Sequence, residues 1–174
     1  MHWHSSLPDM ILERKCTRKE RISMTARPAL IDTNILCYAL DTSDPVKRAV
    51  AADLLSQCWR SEIDLSVSVQ NLAEFSVVMT EKVKNPVPDE TVIRFIRNIA
   101  SFDGWTIISY DAETILDALN IQKNYSLHFW DALLAATMRQ HSIESIFTED
   151  SHFNKVSWIK TINPFQPDKS SRNE

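Results

Sequence analysis

Ala29-Leu30-Ile31-Asp32-Thr33-Asn34-Ile35-Leu36 is the stretch whose reading decides the fold. A short apolar run that ends in a polar turn suits a buried parallel strand. Working outward, helices and strands then alternate. Asp44-Pro45 opens a helix, with Asp44 as N-cap and Pro45 at the first helical position. Val46, Val50, Ala51, Leu54 and Leu55 give that helix its apolar stripe as far as about Arg60. Asp64 to Val69 alternates like a strand, and a helix follows from about Gln70 to Lys82. Pro86 and Pro88 break the chain before Asp89, which is expected to cap a helix carrying Val92, Phe95, Ile96 and Ile99. Trp105 to Ser109 is a strand rich in β-branched residues. Asp111 begins a helix to about Asn120, and Leu127 to Gln140 forms the most apolar helix. Glu144 to Thr148 and Val156 to Ile162 read as the last two strands, and Pro164 ends the order. Strands alternating with helices of this length predict an α/β fold with a parallel, three-layer sheet.

Residues 1–26 are charge-dense and lack a sustained apolar period. They read as a loosely ordered N-terminal arm, 27–166 as the folded domain and 167–174 as a polar tail. Met24 stands just ahead of the first strand, so residues 1–23 are expected to be dispensable or an upstream translation product. No signal-peptide core and no run of membrane-spanning length is present. Cys16, Cys37 and Cys58 form no close pair and no metal-type spacing, as expected of idle thiols in the reducing cytoplasm.

The net charge of -4 hides an asymmetry. Residues 1–27 hold six basic residues against three acids, +3; the remainder holds thirteen against twenty, -7. A broad basic face for nucleic acid is therefore excluded, and a polyanionic substrate would need a divalent cation at the site. The lone glycine, Gly104, also excludes the glycine-rich phosphate loops of nucleotide binders.

Four carboxylates interrupt apolar segments or sit at the C-terminal ends of strands, where open α/β sheets bind ligands. Asp32 closes the first strand, although by itself it serves equally as the N-cap of a helix from Ile35. Glu74 is the only charge between Asp64 and Glu81; alone it reads as an outward-facing residue. Asp131 is the only formal charge between Tyr125 and Met138 and shares a helix face with Leu127, Leu134, Ala135 and Met138. An unpaired carboxylate on a buried stripe would cost several kcal/mol, roughly, unless a cation or hydrogen bonds offset it. Asp150 follows the fourth strand and alone would pass for a turn residue. Taken as one site, the four could not all stay ionised without a bound cation. Mg2+ or Mn2+ suits such oxygen ligands and retains waters, one of which can become a nucleophile. His128 and His152 flank two of the acids, but zinc would want more nitrogen or sulfur. Both read as bystanders, with a substrate contact by His152 the minor alternative.

Ile31 to Leu36, Glu74 within Asn71-Leu72-Ala73-Glu74-Phe75, Phe129-Trp130-Asp131-Ala132-Leu133 and Thr148-Glu149-Asp150 resemble the ordered acidic motifs of PIN domains. The nearest subgroup is the VapC-like toxin ribonucleases, and the resemblance runs from about Ala29 to Phe165. It implies a four- or five-stranded parallel sheet with helices on both sides. Asp32 and Asp131 would be the principal metal ligands. Asp150 would act through metal or water, and Glu74 would bind a second metal or orient the attacking water. Asn34 and Thr148 would support the carboxylates by hydrogen bonds. The implied reaction is hydrolysis of RNA to a 5′-phosphate and a 3′-hydroxyl, by a homodimer paired with a small antitoxin. The N-terminal arm and the scarcity of glycine depart from the commonest pattern.

Three readings compete. A PIN-like binding module without turnover would be favoured by loss of an acid, and all four are present. A housekeeping RNase would share the site and lack an antitoxin. A haloacid-dehalogenase-type phosphatase needs a second Asp two residues after Asp32, where Asn34 stands.

Overall fold

The computed structural model describes residues 27–166. The expectations placed on 1–26 and 167–174 lie outside the described residues. Five short strands, β1 (Ala29–Ile31), β2 (Leu65–Ser68), β3 (Trp105–Ile108), β4 (Ser145–Phe147) and β5 (Lys160–Ile162), form one sheet. All pair in parallel, in the order β3-β2-β1-β4-β5. Helices α1 (Thr33–Leu40), α2 (Pro45–Trp59), α3 (Val69–Val77), α4 (Asp89–Ser101), α5 (Ala112–Tyr125) and α6 (Phe129–Gln140) cover its two faces.

The two-residue period of a strand explains the layering. Ile31, Leu65 and Val67 pack into one core with Leu36, Leu55, Phe75, Met79 and Phe95 from α1 to α4 and the turn after α3. Leu30, Ile108 and Ile146 pack into the other, with Ala118, Ile121, Leu133 and Leu134 from α5 and α6. The fold is thus a three-layer α/β/α sandwich with five strands.

Element boundaries differ from the sequence-based expectation in ways that matter for the site. His128 is extended and is the N-cap of α6, so Leu127 lies ahead of the helix and Asp131 falls in its first turn. The expected Gln70–Lys82 helix is α3 followed by a π-helical turn, Val78–Lys82. Pro88, not Asp89, is the N-cap of α4, and it offers no side-chain bond. α5 runs on to Tyr125, and β5 begins only at Lys160. Asp44 does cap α2, accepting from Val46 N and Lys47 N.

The strand order reverses at β1. The chain steps outward to β2 and β3 on one side and returns to place β4 on the other. Such a reversal leaves a crevice beyond the C-terminal ends of the two central strands. Asp32 follows β1 and Thr148 to Asp150 follow β4, so both acids are delivered to it.

Candidate active site

Asp32 is both of the things its sequence position allowed. As N-cap of α1 its Oδ1 accepts from Thr33 N at 2.7 Å. Its Oδ2 accepts from Thr148 Oγ1 at 2.6 Å and Asn34 Nδ2 at 3.0 Å. Burial pushes its carboxyl up to about 6, against the two threonine bonds, and the Glu74 and Asp150 charges push the same way.

Glu74 reaches the same place from α3. Its Oε2 accepts from Thr33 Oγ1 at 2.8 Å and its Oε1 from Gln70 Nε2 at 3.0 Å. Thr33 Oγ1 in turn accepts from Asn71 Nδ2 at 3.0 Å, and Asn71 Oδ1 accepts from Ser68 Oγ at 2.6 Å. Ser68 and Asn71 form the capping box that starts α3 immediately after β2. The device that starts the helix therefore also sets Thr33 and, through it, Glu74.

Asp131, half-buried in the first turn of α6, sits where the helix dipole favours a negative charge. Its carboxyl is nevertheless raised, by burial first and by the Asp150 charge next, while His152 and His128 oppose the rise. Asp150 caps a 3-10 turn, Ser151–Lys155, accepting from His152 N at 2.8 Å, and its own N–H donates to Thr148 Oγ1 at 2.9 Å. Thr148 therefore ties Asp32 to Asp150. The electrostatic neighbours close a ring: Asp32 feels Glu74 and Asp150, and Asp131 feels Asp150 and Glu74. The structure thus brings all four sequence-derived acids to one crevice, with Asn34 and Thr148 bonded to Asp32.

Two further residues border the acids. His152, read from sequence as a bystander, stands beside the acids: its Nδ1 lies 3.0 Å from Asp150 Oδ1 and 4.0 Å from Asp131 Oδ2. A ligand atom from each of Asp131, Asp150 and His152 lies within 4.8 Å of the others, close enough to share one cation. Thr33 escaped notice because a threonine beside an N-cap is ordinary. Only the fold shows it bonding to residues 38 and 41 positions away.

The donor set fits a hard divalent cation: four carboxylates with one imidazole at the edge. Two buried amide oxygens, Asn34 Oδ1 and Gln70 Oε1, lack a partner among the described residues while their nitrogens serve Asp32 and Glu74. Such an excess of acceptors is what a cation and its waters relieve. The thiols contribute nothing here. Cys37 and Cys58 are buried and neither is in a disulfide, and burial together with the Asp32, Asp41 and Glu74 charges pushes the Cys37 thiol up to about 12.

An open parallel sheet with acids gathered at its switch point defines a class of α/β proteins whose chemistry lies beyond the strand ends. The chain belongs to the PIN domain family, whose model matches residues 29–159. No curated protein sequence matches it. Solved structures share the fold at low identity. A toxin–antitoxin complex from Klebsiella pneumoniae is 20% identical, with a TM-score of 0.53 over 78% of this chain and 97% of that one. VapC20 of Mycobacterium tuberculosis, described as a sarcin-ricin loop cleaving toxin, is 16% identical, with a TM-score of 0.57 over 72% and 92%. FitAcB from Neisseria gonorrhoeae is 20% identical, with a TM-score of 0.56 over 80% and 99%.

Proposed function

We propose that this PIN domain is a divalent-metal-dependent endoribonuclease and the toxin of a type II toxin–antitoxin pair. The observation that carries the reading is the closed ring of Asp32, Glu74, Asp131 and Asp150, with Asp32 pushed to about 6. Asp32 and Asp131 are held above the ordinary carboxylate range, by burial first and by neighbouring acids as well, and a cation among them would favour their charged forms. The four acids would hold Mg2+ or Mn2+, which supplies an activated water and offsets charge on the phosphate. Asn34, Thr148 and the Thr33 backbone hold Asp32, while Thr33 and Gln70 hold Glu74, so both acids are oriented beforehand. His152, on the Asp150 side, takes or returns a proton during hydrolysis.

The toxin assignment draws on the neighbours, two of which are described as a toxin or a toxin–antitoxin complex. An acidic crevice attracts a basic peptide, so a small antitoxin would silence the enzyme by placing a Lys or Arg among the acids. A homodimer is proposed on the exposed Ile115, Leu116 and Leu119 of α5 and on Ile107 of the edge strand β3. Among the described residues no helix is long and apolar enough to cross a membrane, and the cytoplasm is the proposed compartment.

Purified protein should cut single-stranded RNA with Mg2+ or Mn2+ and stop when a chelator is added. Expression in a bacterial host should arrest growth, with relief by the neighbouring small open reading frame and with Asp32→Ala. Harmless overexpression of folded, active enzyme would count against the toxin role. No cleavage of any RNA would remove the nuclease itself.

A further inference from the structure

Trp130 is 59% exposed, although it directly precedes Asp131. The other tryptophans among the described residues pack inward: Trp105 is 7% exposed, and Trp59 and Trp158 lie against the two cores. Its exposure is not slack. The indole stands edge-on to Phe129, with ring centroids 5.4 Å apart at 70°. Its backbone carbonyl accepts from Gln70 Nε2 at 3.1 Å, the same nitrogen that donates to Glu74 Oε1. One buried amide therefore fixes both an acid of the ring and the helix turn that presents the indole.

We propose that Trp130 is a stacking platform for an unpaired base next to the scissile phosphate, which makes it a substrate-binding residue that selects single strands. This rests on the ribonuclease reading above. The favoured occupant follows from charge. Residues 28–174 carry -7 and the crevice is built of carboxylates, so a polyanion cannot be held there by a basic groove. An uncharged aromatic face binds a nucleobase without any such groove, and it prefers single strands, whose bases are free to leave their own stack. Beside Asp131, the indole would hold the chain of nucleotides while the acids act on its backbone.

The test compares Trp130→Ala with Trp130→Phe on a short single-stranded oligoribonucleotide. Trp130→Ala should raise KM about tenfold with little change in kcat, and Trp130→Phe should recover most of it. The same oligonucleotide with an abasic site beside the cleaved bond should lose as much, and the two losses should not add. Equal KM values, or additive losses, would overturn the proposal while leaving the nuclease standing. So would a Trp130→Ala protein that loses a protein partner or self-association but keeps its KM. Should the wild type cut nothing, quenching of tryptophan fluorescence by the uncut oligonucleotide, absent in Trp130→Phe, would still support stacking; no quenching would end it.

Discussion

Asp32 and Glu74 are gripped at both oxygens by fixed donors: Thr33, Asn34 and Thr148 for one, Thr33 and Gln70 for the other. Asp131 and Asp150 are held far more loosely. Asp131 has no hydrogen-bond donor among the described residues, with His152 Nδ1 at 4.0 Å, and Asp150 depends on the turn residue His152. One half of the site is therefore preset by the fold, and the other is held by fewer hydrogen bonds. The physical origin is plain. The preset half grows from two helix starts, each immediately after a strand, whose capping side chains interlock. The open half joins the first turn of α6 to a short 3-10 turn.

The sharpest way to break this comparison is to remove a charge from the open half. Asp131→Asn should lose roughly a thousandfold or more in RNA cleavage, the scale expected when metal and transition-state stabilisation go together. Its melting temperature in chelator should stay the same or rise, because a raised carboxylate is relieved rather than a bond broken. A large fall in melting temperature would show that Asp131 holds the fold together.

Acid titration probes the preset half. Asp32 sits at about 6 in the folded chain against 3.8 as a free group, so the folded state binds its proton more tightly. Its contribution to stability is complete below 3.8 and is lost as pH rises through 6. The difference is on the order of 3 kcal/mol. In chelator, thermal stability should fall from pH 4 toward pH 7, apart from what other groups add, and Asp32→Asn should flatten the slope. Added Mg2+ should restore stability at neutral pH by mass action. A wild-type slope unchanged in Asp32→Asn would contradict the burial assigned to Asp32.

A paired substitution gives the smallest and most discriminating effect. Thr33→Val leaves the Asn71 amide without its acceptor and Glu74 Oε2 without its donor, so it should cost about 1–3 kcal/mol of stability and roughly tenfold or more in rate. His152→Asn should lower the rate while leaving the melting temperature within about 0.5 kcal/mol equivalent, as an exposed residue does. Equal stability losses from the two would erase the distinction between the halves.

Much of this was legible in the chain itself. The α/β alternation and the Asp44-Pro45 helix start follow from local chemistry, whereas of the four acids only Asp131 stands out alone and the set emerges from taking them together and from the PIN-like motifs. The closeness of His152 to Asp131 and Asp150 was not legible, since a histidine two residues after a turn aspartate carries no periodic signal. Nor were the surroundings of Asp131. Starting α6 at Leu127 placed the acid inside a buried stripe, but the extended His128 moves it to a helix end, where the dipole meets it. Helix ends are settled by tertiary packing, and sequence periodicity alone places them least well.

Among the described residues three have left-handed backbones, and all three are serines: Ser61 after α2, Ser126 at the end of α5 and Ser142 after α6. Glycine would take that conformation without strain, yet the one glycine is kept elsewhere, at Gly104, where an added Cβ would stand 2.6 Å from the Phe102 ring. Each serine forgoes about 1 kcal/mol that glycine would recover. The fold thus carries heat tolerance it does not use. A chain with glycine at all three positions could absorb a damaging change elsewhere, which makes these helix ends a natural place to begin hardening the protein.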